Sequence, residues 1–428
     1  MFKQSAGGSL PPLRRFLAQR LIGNPGVSFW QVVLVLAAIL IGAELSPAAV
    51  TTQGDVTLSG SPNGTSLTGQ TGYGSVAVDD GSELTAPILT LGSAAASVGV
   101  LHVSDAGSRV EAERLNTGLG GLGLVSVVDK GRLATSSAFL GREKDGYGQI
   151  IVDGPGSWWT NASLMLLGDS GGTGKAIAVN GGRIESGSLT VGFSLRPAAS
   201  NSGYVAVSGV GSTWINRGGV SLGGYGTAEM KILDGGTFLN LPSGFGMSVI
   251  SSNDGGTAAL GGASGGPLGR AFGPLEAGTL GRGTSRVRVS NGGTLAVTSF
   301  TLGTTATSST PPATPPAAHV FVSGEGSSLN LAAALTVRGP SAYLSVTQGG
   351  RVVSSALHVP EPSASVNANS VFISGAGSTL HATSVFLGPS SLTNGPANVW
   401  IADGGTLEVA SSNSLVVNPG GVLRLLGG

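Results

Sequence analysis

A unit of roughly 24 residues returns about a dozen times between residue 75 and the C-terminus, and it restricts the fold more than any other feature of the chain. One copy reads Gly203-Tyr204-Val205-Ala206-Val207-Ser208-Gly209-Val210-Gly211-Ser212-Thr213-Trp214-Ile215-Asn216 and closes with Gly219-Val220-Ser221-Leu222-Gly223. Other copies open near Ser75, Gly99, Gly123, Gly148, Gly174, Gly226, Ser285, Ala318, Ser341, Asn369 and Ala397. Short β-type runs between glycines at a fixed spacing make coils that cannot bury an apolar face alone and must stack on one another.

Each copy divides into three runs, here Tyr204 to Val207, Thr213 to Asn216 and Gly219 to Leu222. Side chains alternate across a strand, so Val205 and Val207 are expected to face the core while Tyr204 and Ala206 point outward. The inward pair recurs as Val76/Val78, Leu101/Val103, Val125/Val127, Ile150/Val152, Ile177/Val179, Met230/Ile232, Val287/Val289, Val320/Val322, Leu344/Val346, Val371/Ile373 and Val399/Ile401. The expected fold is all-β, a parallel β-helix (β-solenoid) with three short strands per coil and about 12–14 coils. With 74 glycines, 10% charged residues and 5% aromatics, the composition suits strands and tight turns. Glycine does not fall at every third position, which excludes collagen, and the alternation of Val, Leu and Ile with small residues argues against disorder.

Two corner types alternate. One reads Gly-x-Gly-Ser, as at 154–157, 209–212, 324–327 and 375–378; the other reads Asp, Asn or Gln before Gly-Gly, as at 180–182, 234–236, 291–293, 348–350 and 403–405. Two interruptions are expected to loop outside the stack, a Gly/Ala-rich insertion at 243–284 and a Pro-rich loop at 304–317. At the start, Lys3, Arg14, Arg15 and Arg20 precede an apolar run from Val32 to Ala43 and the small residues Pro47-Ala48-Ala49. This is the layout of an export signal peptide over residues 1–48, leaving 49–428 as the solenoid. Without that segment the chain carries a small acidic excess, which speaks against a nucleic-acid partner. It has no cysteine, so cohesion must come from stacking and backbone pairing.

Stretches such as Val205-Ala206-Val207-Ser208-Gly209-Val210-Gly211-Ser212-Thr213-Trp214, Val220-Ser221-Leu222-Gly223 and Ile232-Leu233-Asp234-Gly235-Gly236-Thr237-Phe238 resemble the repeat of bacterial type V secretion passengers and of exported PEP-CTERM-associated proteins. The resemblance implies a right-handed parallel β-helix like an autotransporter passenger, in a secreted or cell-surface (cell outer membrane) protein that is adhesin-like and shares no catalytic residues with its relatives. Two parts of those families' pattern are not seen. Coil copies continue to Gly405 with no membrane-barrel strands after them, and Pro360-Glu361-Pro362 lies mid-chain rather than before an apolar span and a basic tail. Such a chain is expected to be secreted freely, to be handed to a separate outer-membrane transporter, or to belong to a longer gene product.

Residues that could carry chemistry read more simply as structure. Asp79-Asp80 is an adjacent acidic pair at a corner, and Asp105, Asp129, Asp153, Asp234 and Asp403 hold similar corner places. His102, His319, His358 and His381 lie in four separate copies without metal-ligand spacing, so no metal and no cofactor are expected. Ice binding would need threonines recurring at one coil position, and none is evident in the sequence. One surface feature stands out. Between the two core residues, the last coils carry Phe321, Ser345, Phe372 and Trp400, so Phe321, Phe372 and Trp400 should form an external aromatic row able to stack on sugars or receive a protein. The expected function is therefore that of an exported, non-enzymatic, adhesin-like protein whose extended surface binds glycans or matrix proteins. The alternative is a pectin-lyase-like polysaccharide lyase or hydrolase, with clustered carboxylates on one face. Val422, Leu423, Leu425 and Leu426 suggest end-to-end stacking at the C-terminal coil.

Overall fold

The computed structural model of the protein describes residues 50–58, 64–192, 201–222, 226–241, 275–277, 284–297, 300–302, 317–337, 342–359, 370–388, 397–411, 414–418 and 420–426. The expected signal peptide and most of both interruptions lie outside these residues. Among the described residues there is no helix, and the chain winds as a parallel β-solenoid. Its first sheet has 14 strands, all parallel except the first. Strands Tyr147–Asp153, Thr173–Val179, Ser202–Ser208 and Thr227–Leu233 show the pattern: Gly148, Gly174, Gly203 and Ala228 stack in one row, with no register slip between coils. A second sheet collects the remaining runs of every coil.

The three-run coil is present in two forms. Around Gly203 the second and third runs are separate strands, Thr213–Asn216 and Val220–Leu222. Elsewhere they fuse into one longer strand, as in Arg183–Val191, where Ile184 and Ser186 are buried and then Leu189 and Val191. The inward parity shifts by one residue midway along that strand, which is how a continuous strand turns a corner and still feeds one core.

The core is a column of stacked aliphatic residues. Leu101, Val103, Ile150, Val152, Val205, Val207, Val287, Val289, Leu344, Val346, Val371 and Ile373 have no exposed surface. Each such side chain stabilises the fold by roughly 1.5–3 kcal/mol relative to exposure. One expected pair is corrected. In the Thr173–Val179 strand the inward residues are Ala176 and Ala178, not Ile177 and Val179, because Ala176 pairs in register with Ile150 and Val205. Glycine sets that frame. A Cβ on Gly174 would come within 2.3 Å of the Leu140 carbonyl oxygen, so the glycine must sit over Gly148 and Gly203, and hydrophobicity cannot move the strand by one.

The alternation of corners has a physical cause. The serine of each Gly-x-Gly-Ser corner reaches back to the corner of the coil before it and accepts a backbone N–H there: Gly181 N–H donates to Ser212 Oγ (2.9 Å), Gly292 to Ser327 (3.0 Å) and Gly349 to Ser378 (3.0 Å). The same hydroxyl donates to its own chain, Ser212 to the Ser208 carbonyl at 2.7 Å and Ser378 to Ser374 at 2.7 Å. Facing the next coil, Ser208 and Ser374 donate to the carboxylates of Asp234 (2.9 Å) and Asp403 (2.8 Å). Corner N–H groups that the strands leave unpaired are thereby satisfied, and two unlike coils make one repeat. The alternation slips once. Asp234 and Asn291 belong to successive coils of the same corner type, and Asn291 Nδ2 donates to Asp234 Oδ1 at 2.9 Å. The 243–284 interruption falls between them, yet Leu275–Ala277 within it forms a strand of the second sheet, pairing Ala277 with Leu222 and Leu275 with Phe300. That part of the interruption belongs to the stack.

Candidate functional site

The outer face of the first sheet carries the residues singled out from the sequence. Phe321, Ser345, Phe372 and Trp400 are register partners on four successive strands, so they form one row along the solenoid axis. Phe321, Phe372 and Trp400 are each partly exposed, whereas Ser345 is buried among its neighbours. The Phe372 and Trp400 rings meet edge to face with centroids 6.5 Å apart. Two residues earlier on the strands a second row joins the first. His319 and Tyr343 are register partners, and the Tyr343 ring lies 6.1 Å from both His319 and Phe321, filling the gap that Ser345 leaves.

Cations border these rings. Arg288 precedes Phe321 in the row and its guanidinium lies 5.7 Å from that ring; Arg424 follows Trp400 at 5.8 Å. The theme continues toward the N-terminus on the same face. Lys175 Nζ sits between Tyr147 (5.2 Å) and Tyr204 (5.9 Å), and Lys231 lies 5.1 Å from the other side of Tyr204. Burial first, and then the Lys231 charge, lower the Lys175 pKa below the ordinary lysine value, with Glu229 opposing. The ring–cation pairings were missed in the sequence because these contacts run between coils. Strand parity marks Tyr147 and Arg288 as outward-facing, while for Lys175 it points inward, because Ile177 and Val179 read as that strand's core pair.

The other candidates do not converge on a site. Asp80, Asp105, Asp129, Asp234 and Asp403 have φ between 49° and 73°, the left-handed conformation of a corner, where Asp is tolerated because its side chain can bond the local backbone. Asp153 accepts a hydrogen bond from Asn180 at 2.9 Å, and burial pushes its carboxyl upward. The histidines are dispersed. His381 Nδ1 lies 3.1 Å from Glu408, His358 stacks on Phe386 with centroids 4.9 Å apart, and His319 belongs to the aromatic face. Among the described residues no group of three or more His, Asp or Glu side chains could hold a metal ion. Threonines do recur at one coil position, contrary to the sequence reading: Thr213, Thr237 and Thr294 are register partners at the start of the second run. Ser328 and Arg351 then interrupt that single row, which offers no Thr-x-Thr array.

No protein-family model matches the chain, and no curated relative matches it. Among solved structures, a similar chain is the crystallised fragment described as TibC-catalysed, hyper-glycosylated TibA. It is 17% identical, covers 82% of this chain and 98% of that chain, and gives a TM-score of 0.28. A score that low carries no site, ligand or activity from that fragment to this protein.

Proposed function

We propose that the protein is an exported, non-enzymatic β-helical adhesin, secreted or displayed at the cell surface, whose first sheet presents an extended face to glycans or matrix proteins. The observation that carries this reading is the register of Phe321, Phe372 and Trp400 in one partly exposed row, extended by Tyr343 and His319. Rings set at fixed spacing along a rigid axis suit repeated contact with a polymeric ligand, because the solenoid has already fixed their positions and little entropy is lost on binding. The N-terminal basic and apolar layout supports export, and the resemblance to type V secretion passengers supports surface display. The lyase or hydrolase reading draws no support from the corner aspartates, which are used in turns.

The test is a binding screen of the full chain against immobilised glycans and matrix proteins, repeated with Phe372→Ala and Trp400→Ala together. Retention of the parent on at least one surface, and a loss of ten-fold or more in the double variant, is the expected result. A parent that binds nothing while cleaving a polysaccharide would overturn the proposal.

A further inference from the structure

The aromatic row is one end of a longer stripe in which cations border the rings along the axis. From the N-terminal side it runs Tyr147, Lys175, Tyr204, Lys231, then Arg288, Phe321, and finally Phe372, Trp400, Arg424, with each ring–cation pair within 5.9 Å. Arg286 stands beside Arg288 on the same exposed face, register partner of His319. The carboxylates on these strands are Glu229, paired with Lys231 at 3.2 Å, and Asp153 at the far end of its strand. The stripe is thus cationic on a chain that carries 22 basic and 22 acidic residues in all. Acidic residues Asp153, Asp234, Glu325 and Asp403 lie at or just past the C-terminal ends of these strands.

We propose that this stripe binds a linear acidic polysaccharide, bearing uronate or sulfate groups, laid along the solenoid axis. The inference rests on the adhesin reading above and names its ligand class. Rings recognise the apolar faces of sugars, and all of them except Phe372 lie beside a lysine or arginine placed to meet an acid group. A neutral glycan would leave Arg286, Arg288 and Arg424 with no acid group to meet on a face this poor in carboxylates. Single-stranded nucleic acid is the competing polyanion, and the experiment separates the two.

The experiment measures binding of the full chain, by calorimetry or biosensor, to a sulfated glycosaminoglycan, to polygalacturonate, to a neutral glucan and to a single-stranded DNA oligonucleotide, across a salt series. Binding to at least one acidic polysaccharide at least ten-fold tighter than to the glucan or the DNA is expected. Arg286→Gln with Arg288→Gln should weaken it about ten-fold and flatten its salt dependence, while circular dichroism and thermal midpoint stay unchanged because both side chains are exposed. Equal binding of glucan and acidic glycan, or an unchanged affinity in the arginine variant, overturns the acidic-ligand inference and leaves the adhesin reading standing. DNA binding as tight as that of the acidic glycans also overturns it. Absence of binding to every glycan, together with absence of binding to matrix proteins, sinks both readings.

Discussion

The two halves of the solenoid differ in whether aromatics enter the core: the first half buries four of them while Tyr147, Trp158 and Tyr204 stay on its outside, and the second half keeps its large aromatics on the outside. Up to Phe300, Trp159, Trp214, Phe238 and Phe300 are all fully buried; beyond it, Phe321, Tyr343, Phe372, Phe386 and Trp400 all face outward. Strand parity decides the outcome. Trp159 and Trp214 are in the row that continues as Ile184 and Phe238, whereas Trp400 follows Phe372 in a row displaced by one residue from the core. The first half also threads a polar seam through its core to satisfy the buried indoles. Trp159 Nε1 donates to Thr135 Oγ1 at 3.0 Å and Trp214 Nε1 to Ser186 Oγ at 2.9 Å. Thr135 and Ser186 in turn donate to Asn161 (2.9 Å) and Asn216 (2.7 Å), and Asn216 donates to Asn240 Oδ1 at 2.9 Å. In the second half Val297, Leu331, Ser354 and Ala382 continue that row, so the chain of buried amides gives way to a mostly apolar interior with one buried serine. The same residue type therefore cements the core of the first half and stands only on the outside of the second.

That contrast can be broken most sharply at Trp214. Trp214→Ala removes a fully buried ring and leaves Ser186 short of a partner, so a loss of about 3–5 kcal/mol in urea unfolding is expected. Next in size is the glycine row. A Cβ on Gly148 would meet the Thr117 carbonyl oxygen at 2.1 Å, so Gly148→Ala should cost about 1–3 kcal/mol. Ala318, which holds the same place in the second half, already carries its Cβ, and Ala318→Gly should cost no more than about 1 kcal/mol. Comparable losses from the two variants would mean that the corner is not tighter in the first half.

A smaller effect is expected at the corner clamps. Ser378→Ala strands the Gly349 N–H and should cost about 1–2 kcal/mol, measured as a shift in the urea midpoint. His102 supplies a pH dependence. Burial lowers its pKa below the ordinary 6.5, against the opposing pull of Asp79, Asp129 and Asp105. The folded state then takes the proton less readily than the unfolded chain, so this contribution is fully present above pH 6.5 and is lost as pH falls toward the folded value. Thermal midpoints recorded from pH 7.5 to 5 should fall less in His102→Gln than in the parent. The smallest stability effect belongs to Trp400→Ala, under about 1 kcal/mol, since its ring lies on the outer face. A cost for Trp400 matching that of Trp214 would contradict the division between cement and surface.

The ends of the stack differ in a parallel way. At the N-terminal end Val50–Gly54 lies antiparallel against Tyr73–Val78 and shows solvent Thr51, Thr52 and Gln53. At the other end the Gly421–Leu426 strand pairs on one side with Ala397–Ala402, and Leu425 and Leu426 are 72% and 50% exposed.

Much of this was legible in the sequence because a solenoid repeats one local rule. Val205/Val207 and their equivalents read correctly, since alternation and the glycine frame agree in nearly every coil. Where they disagreed, at Ile177, size favoured one frame and glycine enforced the other. The aromatic row was legible for the same reason, as parity relative to a known core residue. Lys175 between two tyrosines, the serine clamps and the Trp–Thr–Asn seam were not, because each is a contact between residues more than twenty positions apart that only the stacking register brings together. The strand Leu275–Ala277 was hidden by the Gly/Ala-rich sequence around it.

The register itself is open to one direct measurement. The chain has no native cysteine, so Ser126→Cys and Arg288→Cys can carry a pair of spin labels on the outer face of the first sheet. Five strand-to-strand steps separate them, through Ile151, Ile177, Ala206 and Lys231, which places the labelled backbone sites about 24 Å apart. A single narrow distance distribution near that value is the predicted result. A broad distribution, or one centred beyond about 40 Å, would mean that the coils on either side of the 243–284 interruption are not stacked in sequence, and the continuous face they build would not exist.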